Sequence, residues 1–496
     1  MSAAEKPHHP LFIGGQGILS HRGERIPLRN PATGEILATV ESGDKEDARQ
    51  AIEVAQKAFQ ESDWPGGDGS QRSRILYRLS QLFFQRIDEF ARWETMNQGK
   101  PLREARGDML FAARTIEYMA GLADKMEGAQ IPVSGERLDY TLREPVGVTV
   151  HIAPWNYPLQ LAVRSLAPAL AAGNSCILKP ASLTPLTALE FAKMAKEAGV
   201  PDGILNVVVG AGRDVGEALV RDPRVSAVSF TGSLEVGRRI MELAASHVAP
   251  VTLELGGKSP HIVFPDADLD RAAKAVVFGI FQNAGQMCWA GSRLLVHRSI
   301  KEAFLEKVVQ LARARRLGPG WEPGVEMGPL VSPEQLQRVR EYIEGAQREG
   351  ARLLTGGGRP NGPELQKGNF LEPTVFDGVS PDMTIAREEV FGPVLACMEF
   401  ESFEEAVQKA NDTIYGLYAG VWTRDLSTAH RAARALQAGM VSINEYPVTF
   451  PQTPFGGYKQ SGLGSEQGRR AWEFYTRTKN VSVLWGGGSR SSPRTG

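Results

Sequence analysis

VTVHIAPWNYPLQLAVRSLAPALAAGNSCILK, residues 148–179, reads as strand, turn, helix, strand. VTVHIA is apolar and β-branched. PLQLAVRSLAPALAAG opens on a proline and repeats its apolar residues at helical spacing, with Pro168 expected to kink it. SCILK is a second short strand. The alternation continues to residue 255. TPLTALEFAKMAKEAG is a helix with Pro185 near its start and Gly199 at its end. ILNVVVG, VSAVSF and VTLEL are strands, and RDVGEALVRD and SLEVGRRIMELAAS are the helices between them. Strands alternating with helices of about 10–15 residues build a parallel sheet. Right-handed crossovers then align the strand ends, and any ligand, along one edge.

Upstream, from about 45 to 126, the chain reads as helices such as DARQAIEVAQKAFQ and QRSRILYRLSQLFFQRIDEFARW. Downstream, from about 257 to 456, a second alternating region holds IKEAFLEKVVQLARA, PEQLQRVREYIEGAQREG and FEEAVQKAND as helices, with GVWTR and MVSIN as strands. Two α/β domains joined near Gly256–Gly257 are expected. A length of 496 residues suits two to three domains at roughly 150 residues each.

Fifty-six basic against 57 acidic residues leave a net charge of −1, so the basic patches that nucleic acid or an acidic membrane selects are not expected. Three cysteines, Cys176, Cys288 and Cys397, are too few and odd in number for a disulfide framework, and fit a reducing compartment. The start MSAAEKPHHP lacks a signal peptide's apolar run, and no apolar stretch reaches about 18 residues. Cytoplasm is the expected location, with no membrane, nucleic-acid or metal partner. The Gly/Ser/Arg-rich end, 488–496, reads as a flexible tail.

Several short motifs carry chemistry. GAGRDVG, 210–216, follows a strand and opens a helix, but is one residue longer than the dinucleotide fingerprint; a tight strand-to-helix turn reads equally well. FTGSLEVG, 230–237, makes a second such turn, with Gly232 and Ser233 where a helix N-terminus offers free N–H donors. LGGKS looks like the end of a Walker A loop, but Thr252 stands where the first glycine belongs. Lys179 ends a strand at the sheet edge, where it suits a ribose or phosphate oxygen or simply solvent. Glu254, set between Leu253 and Leu255, is either a structural glutamate with a partner or a general base raised by desolvation. Asn156, between prolines in APWNYP, is a turn residue or an oxyanion donor. Cys176 and Cys397 sit in apolar strands as fillers. Cys288, in FQNAGQMCWAGSR, lies between Gly285 and Gly291 outside any strand or helix period, and is either a buried filler or a nucleophile.

In order, APWNYP, KPASLTPLTAL, FTGS, LELGGKSP, GQMC, EEVFGPV and PFGGYKQSG resemble the motifs of the aldehyde dehydrogenase superfamily, and the resemblance spans about residues 12–485. It implies an α/β fold with a Rossmann-like cofactor domain (1–126 and 146–256), an α/β catalytic domain (257–460) and a small β oligomerisation element (127–145 and 472–487). It implies oxidation of an aldehyde to the carboxylic acid with reduction of NAD(P)+. Cys288 would attack the aldehyde, Asn156 would hold the oxyanion, and water activated by Glu254 would hydrolyse the thioester. Trp155, Lys179, Ser182, Gly212, Phe230, Gly232, Ser233, Val236, Leu255, Glu389 and Phe391 would bind the cofactor. Tyr157, Arg164, Met287, Trp289, Phe450 and Phe455 would wall the substrate. A homodimer or homotetramer is implied, with KNVSVLW as the pairing strand.

Three departures sharpen the expectation. Ser182 stands where many NAD-preferring relatives have Glu, so NADP should be tolerated or preferred. Arg164 resembles the semialdehyde and benzaldehyde types, but Gln282 replaces the semialdehyde type's second arginine. Medium-chain aliphatic or aromatic aldehydes are therefore expected, with a semialdehyde read through Arg164 as the alternative. Ser165 replaces a relay lysine, although Glu466 matches its glutamate partner. A CoA-acylating relative would generally lack the glutamate present here as Glu254.

Overall fold

A computed structural model describes residues 6–485. The expected tail at 488–496 lies outside the described residues. An eight-stranded sheet runs from edge to edge as Gly462–Leu463, Val251–Glu254, Val225–Thr231, Val148–Ile152, Ser175–Lys179, Leu205–Val207, Leu11–Ile13 and Gln16–Ile18. The inner five strands are parallel, and the edge pairings are antiparallel. The chain steps outward from Val148–Ile152 in one direction, then crosses back to Val225–Thr231 on its other side. Between those two strands the winding reverses, and a crevice opens at their carboxyl ends.

Helices Lys45–Glu61, Gly69–Gln85, Ile87–Gln98 and Leu102–Ala120 precede this sheet. Asp44 starts the first with a capping box, its side chain accepting from Asp47 N–H while Asp47 returns a bond to Asp44 N–H. The segment 71–93, expected as one helix, is two. Arg86 leaves helical geometry, and the apolar face is re-aimed into the core by Phe83 and Phe90, whose rings lie 5.0 Å apart. Pro168 falls in the last turn of Pro158–Ala171, which ends three residues later. RDVGEALVRD opens as a π-turn, Gly212–Gly216, before the short helix Glu217–Arg221.

A second, seven-stranded sheet is ordered Arg352–Thr355, Thr374–Asp377, Val394–Phe400, Arg293–His297, Pro260–Val263, Tyr418–Trp422 and Met440–Ile443. Each sheet has its own apolar core. A third, three-stranded sheet pairs Thr476–Leu484 with Arg137–Pro145, and the latter with Gln130–Ile131. Among the described residues no helix is long and apolar enough to cross a membrane, and no group of three or more His, Cys, Asp or Glu is arranged to hold a metal ion.

Candidate active site

The crevice at the winding reversal is where the sequence motifs converge. After Ile152 the chain turns through Pro154, Trp155 and Asn156 into helix Pro158–Ala171. After Thr231 it turns through Gly232 into helix Leu234–Ala245, with Ser233 as N-cap accepting from Val236 N–H. Glu254 ends its strand in register with Thr231, and its carbonyl accepts from Gly232 N–H at 3.0 Å. A cavity of about 180 Å³ at this point is walled by Trp155, Asn156, Glu254, Cys288, Glu389 and Phe391, among others.

Cys288 arrives from the second sheet. Helix Leu269–Phe281 ends, and Asn283, Ala284 and Gly285 follow with φ of 48°, 52° and 72°. Left-handed backbone is cheap for glycine but costs about 1–2 kcal/mol at a residue with a Cβ. Gly257 makes the approach possible from the other side, since a Cβ there would lie 2.3 Å from the Cys288 carbonyl oxygen. Cys288 is half-buried, whereas Cys176 and Cys397 are fully buried in strands as expected; all three are free. Burial pushes the Cys288 thiol up to about 12, against the pull of the Arg164 charge and with further pushes from Glu389 and Glu254.

Asn156 Nδ2 donates to Gln286 O at 3.0 Å, which uses one of its two amide hydrogens and orients the other. Glu254 is buried at 2% exposure, and neither carboxyl oxygen has a partner. Burial raises its carboxyl well above the usual range, the Arg164 charge opposing and Glu466 reinforcing. Glu389 accepts from Gly257 N–H at 3.1 Å, and burial pushes it up to about 7. Phe391, at φ 56°, sets its ring edge-on to Trp155 at 5.3 Å.

A second cavity, of about 630 Å³, adjoins helix Leu234–Ala245 and is walled by Lys179, Gly212, Phe230 and Val236, among others. Lys179 is buried there with one 3.3 Å bond, to Pro180 O, and burial lowers its ammonium to about 8. A cation held short of partners at a strand end, beside an N-terminus with free N–H groups, fits a dinucleotide. Ser233, Gly232 and Leu255 wall the smaller cavity. Ser182 lines neither: its hydroxyl donates to Gly210 O at 2.9 Å.

The residues expected to wall the substrate lie apart from the 180 Å³ cavity. Arg164 does not reach the cavity that holds Cys288. Its Nε donates to Glu466 Oε2 at 2.5 Å, and its guanidinium carbon lies 4.3 Å from the Phe455 ring centroid. Glu466 also accepts from the Ser229 hydroxyl at 2.9 Å. The C-terminal loop thus supplies an acid to Arg164, and both side chains are buried. Ser165 bonds back to Ala162 O in its own helix, where no relay passes through it. Trp289 packs against Phe455 and Tyr418, at 5.3 and 5.5 Å. Tyr157 and Met287 are buried in the second core, and Phe450 is 55% exposed. None of these lines the 180 Å³ cavity.

Thr231, Gln335 and Arg338 also line that cavity and were not expected. Gln335 Nε2 donates to Phe391 O at 2.8 Å. Ser332 before Pro333 marks this helix start in the sequence, but nothing in it points the helix towards Cys288.

The model described as the aldehyde dehydrogenase family matches residues 18–481. Betaine aldehyde dehydrogenase of Bacillus subtilis (strain 168) is 45% identical over 475 residues, covering 95% of this chain and 96% of that one. A betaine aldehyde dehydrogenase from Staphylococcus aureus, solved with NAD+, superposes at a TM-score of 0.96 and 38% identity, over 98% of this chain and 97% of that one. An NAD+ complex of aldehyde dehydrogenase from Bacillus cereus superposes at 0.94 and 42% identity, over 96% of each chain.

Proposed function

The chain belongs to the aldehyde dehydrogenase family, and we propose that it oxidises medium-chain aliphatic or aromatic aldehydes to carboxylic acids through Cys288 and Glu254. One observation carries this reading: Cys288, the oriented amide of Asn156 and the unpartnered carboxyl of Glu254 wall one cavity at the sheet's winding reversal. The Cys288 thiol passes its proton through water to solvent, Sγ bonds to the aldehyde carbon as the C=O π bond opens, and the resulting oxyanion is held by Asn156 Nδ2 and the Cys288 N–H. When bound, the nicotinamide accepts the hydride that turns the adduct into a thioester. Glu254 takes a proton from water, the water oxygen bonds to the acyl carbon, and the carbon–sulfur bond breaks to free the acid.

Lys179 and Ser233 would hold the adenosine ribose and pyrophosphate, and Glu389 the nicotinamide ribose, with Phe391 and Trp155 beside it. The small, neutral Ser182 supports use of NADP as well as NAD. Support for the semialdehyde alternative falls away with Arg164, whose charge is engaged by Glu466. Trp289, the residue after Cys288, packs its ring against Tyr418 and Phe455, and this uncharged cluster on the side of Cys288 away from the 180 Å³ cavity supports apolar substrates instead.

The cofactor domain is taken as 1–126 with 146–256, the catalytic domain as 257–460, and the oligomerisation element as 127–145 with 472–487. Exposed Ile131, Leu138, Leu142, Val483 and Leu484 on the third sheet support a homodimer or homotetramer. The function is tested with hexanal, benzaldehyde, betaine aldehyde and an ω-carboxyl aldehyde, each with NAD and NADP, read by absorbance of the reduced cofactor. Turnover of hexanal and benzaldehyde that vanishes in Cys288→Ala is expected. Turnover of betaine aldehyde alone would overturn the substrate reading.

A further inference from the structure

Beneath the cysteine loop lies a group of buried ionisable side chains that the reaction does not use. Glu94 comes from helix Ile87–Gln98, Lys100 from the turn after it, and Glu104 and Asp108 from helix Leu102–Ala120. Lys100 Nζ donates to Asp108 Oδ2 at 2.6 Å and lies 3.8 Å from the Tyr157 ring centroid. Glu94 accepts from the Thr187 hydroxyl at 2.9 Å. One lysine thus faces three carboxyls, and two of these have partners of their own. Glu104 is the third, and it points at the active site.

Glu104 Oε2 accepts the backbone N–H of Asn283 at 2.8 Å. That N–H has lost its helical partner because Gln282, at ψ 140°, leaves the helix, and Gly279 O, four residues back, accepts from Gly291 N–H. A buried N–H without an acceptor is costly, so the left-handed turn at Asn283 and Ala284 depends on the acceptor that Glu104 supplies. Asn283 in turn reaches the chemistry. Its Nδ2 donates to Asn156 O at 2.9 Å and to Gln286 O at 3.3 Å, and Asn156 Nδ2 donates to the same Gln286 O at 3.0 Å. A continuous hydrogen-bonded path therefore runs from Glu104 to the amide that faces the reacting oxygen, and along the loop to Cys288.

We propose that Glu104 is a positioning residue of the reaction: through the Asn283 N–H it holds the left-handed turn that sets Cys288 against the Asn156 amide. Only its acceptor oxygen is required. Burial pushes the carboxyl up to about 7, against the Asn283 N–H and Lys100. A neutral side chain of the same shape therefore serves as well.

The proposal rests on the catalytic reading of Cys288, so variants are compared with the parent on whichever aldehyde the parent oxidises, and also by the rate of Cys288 alkylation with iodoacetamide, which needs no aldehyde. Glu104→Gln keeps an acceptor and should retain kcat and alkylation rate within about twofold. Glu104→Leu removes it and should lower kcat by about 10- to 100-fold, with KM for the cofactor within about twofold. Ala284→Gly, which eases the left-handed turn, should restore part of that loss in the leucine background. A purely structural role would lower thermal stability and expression without separating kcat from cofactor KM. Equal activity of Glu104→Leu and parent overturns the proposal. So does a loss of tenfold or more in Glu104→Gln, a measurement that stands even if the leucine variant does not fold. Failure of Cys288→Ala to abolish parent turnover would instead strike the catalytic reading itself.

Discussion

Arg164 and Glu466, 302 residues apart in the chain, meet as an ion pair buried on both sides, and the nearby Glu254 carboxyl has no partner at all. The pair gives the Glu254 carboxyl a positive neighbour whose charge is already balanced. Glu254 feels the attraction of Arg164 and the repulsion of Glu466 together, and burial decides the outcome in favour of a raised carboxyl.

Removing one member of that pair leaves the other charge buried alone. Arg164→Ala should cost about 3–5 kcal/mol of stability, read as a lowered midpoint in thermal or urea unfolding. Its catalytic loss should be alike for hexanal and for an ω-carboxyl aldehyde. A loss confined to the acidic aldehyde would mean that the arginine reads substrate after all.

The raised Glu254 carboxyl sets a pH dependence with a definite sign. Only the ionised form takes a proton from water, and raising the pKa keeps the protonated form to higher pH. Below that pKa, kcat should climb about tenfold per pH unit and then level off where hydrolysis limits turnover. Glu254→Gln should lose that limb and at least about 100-fold in kcat. It should release one equivalent of reduced cofactor in a burst and hold the acyl group on Cys288, visible by mass spectrometry.

Cofactor choice is tested at Ser182. Replacing it with Glu sets a carboxylate where a 2′-phosphate would be repelled. Ser182→Glu should lower kcat/KM for NADP at least about tenfold while leaving NAD nearly unchanged. A parent with strong NAD preference and almost no rate with NADP would contradict the expectation before the variant is made.

Gly257 offers a steric test. A methyl group there would stand 2.3 Å from the Cys288 carbonyl oxygen, a backbone atom that cannot swing aside. Gly257→Ala should displace the cysteine loop and lower kcat by about 100-fold. The 630 Å³ cavity around Lys179 is walled by other residues, so cofactor binding, followed by fluorescence, should persist.

Local order was the legible part of this sequence. Short apolar strands alternating with helices between 148 and 255 announce the parallel sheet, because strands such as Ser175–Lys179 are buried on both faces. Cys288, Asn156 and Glu254 were legible through motifs in chain order, since each sits where a strand or helix ends. What stayed hidden depends on meetings across long separations. Arg164 could not be assigned to Glu466 from spacing, nor Glu104 to Asn283, 179 residues away. The break at Arg86 was hidden for another reason: no Gly or Pro marks it, and packing of Phe83 and Phe90 imposes it.

Glu254 ends the last inner strand of the eight-stranded sheet, and Pro260 begins a strand of the other, so only residues 255–259 lie between them. The Gly462–Leu463 strand, returning from the second sheet, lies alongside the same strand end. Such a joint would serve as the pin of a hinge, were one sheet to turn against the other. For any given rotation of one sheet against the other, a group at the pin is displaced least, while groups at the rim sweep furthest. In the proposed reaction the Glu254 carboxyl, which meets water beside the sulfur, therefore sits at the point that such a rotation would move least.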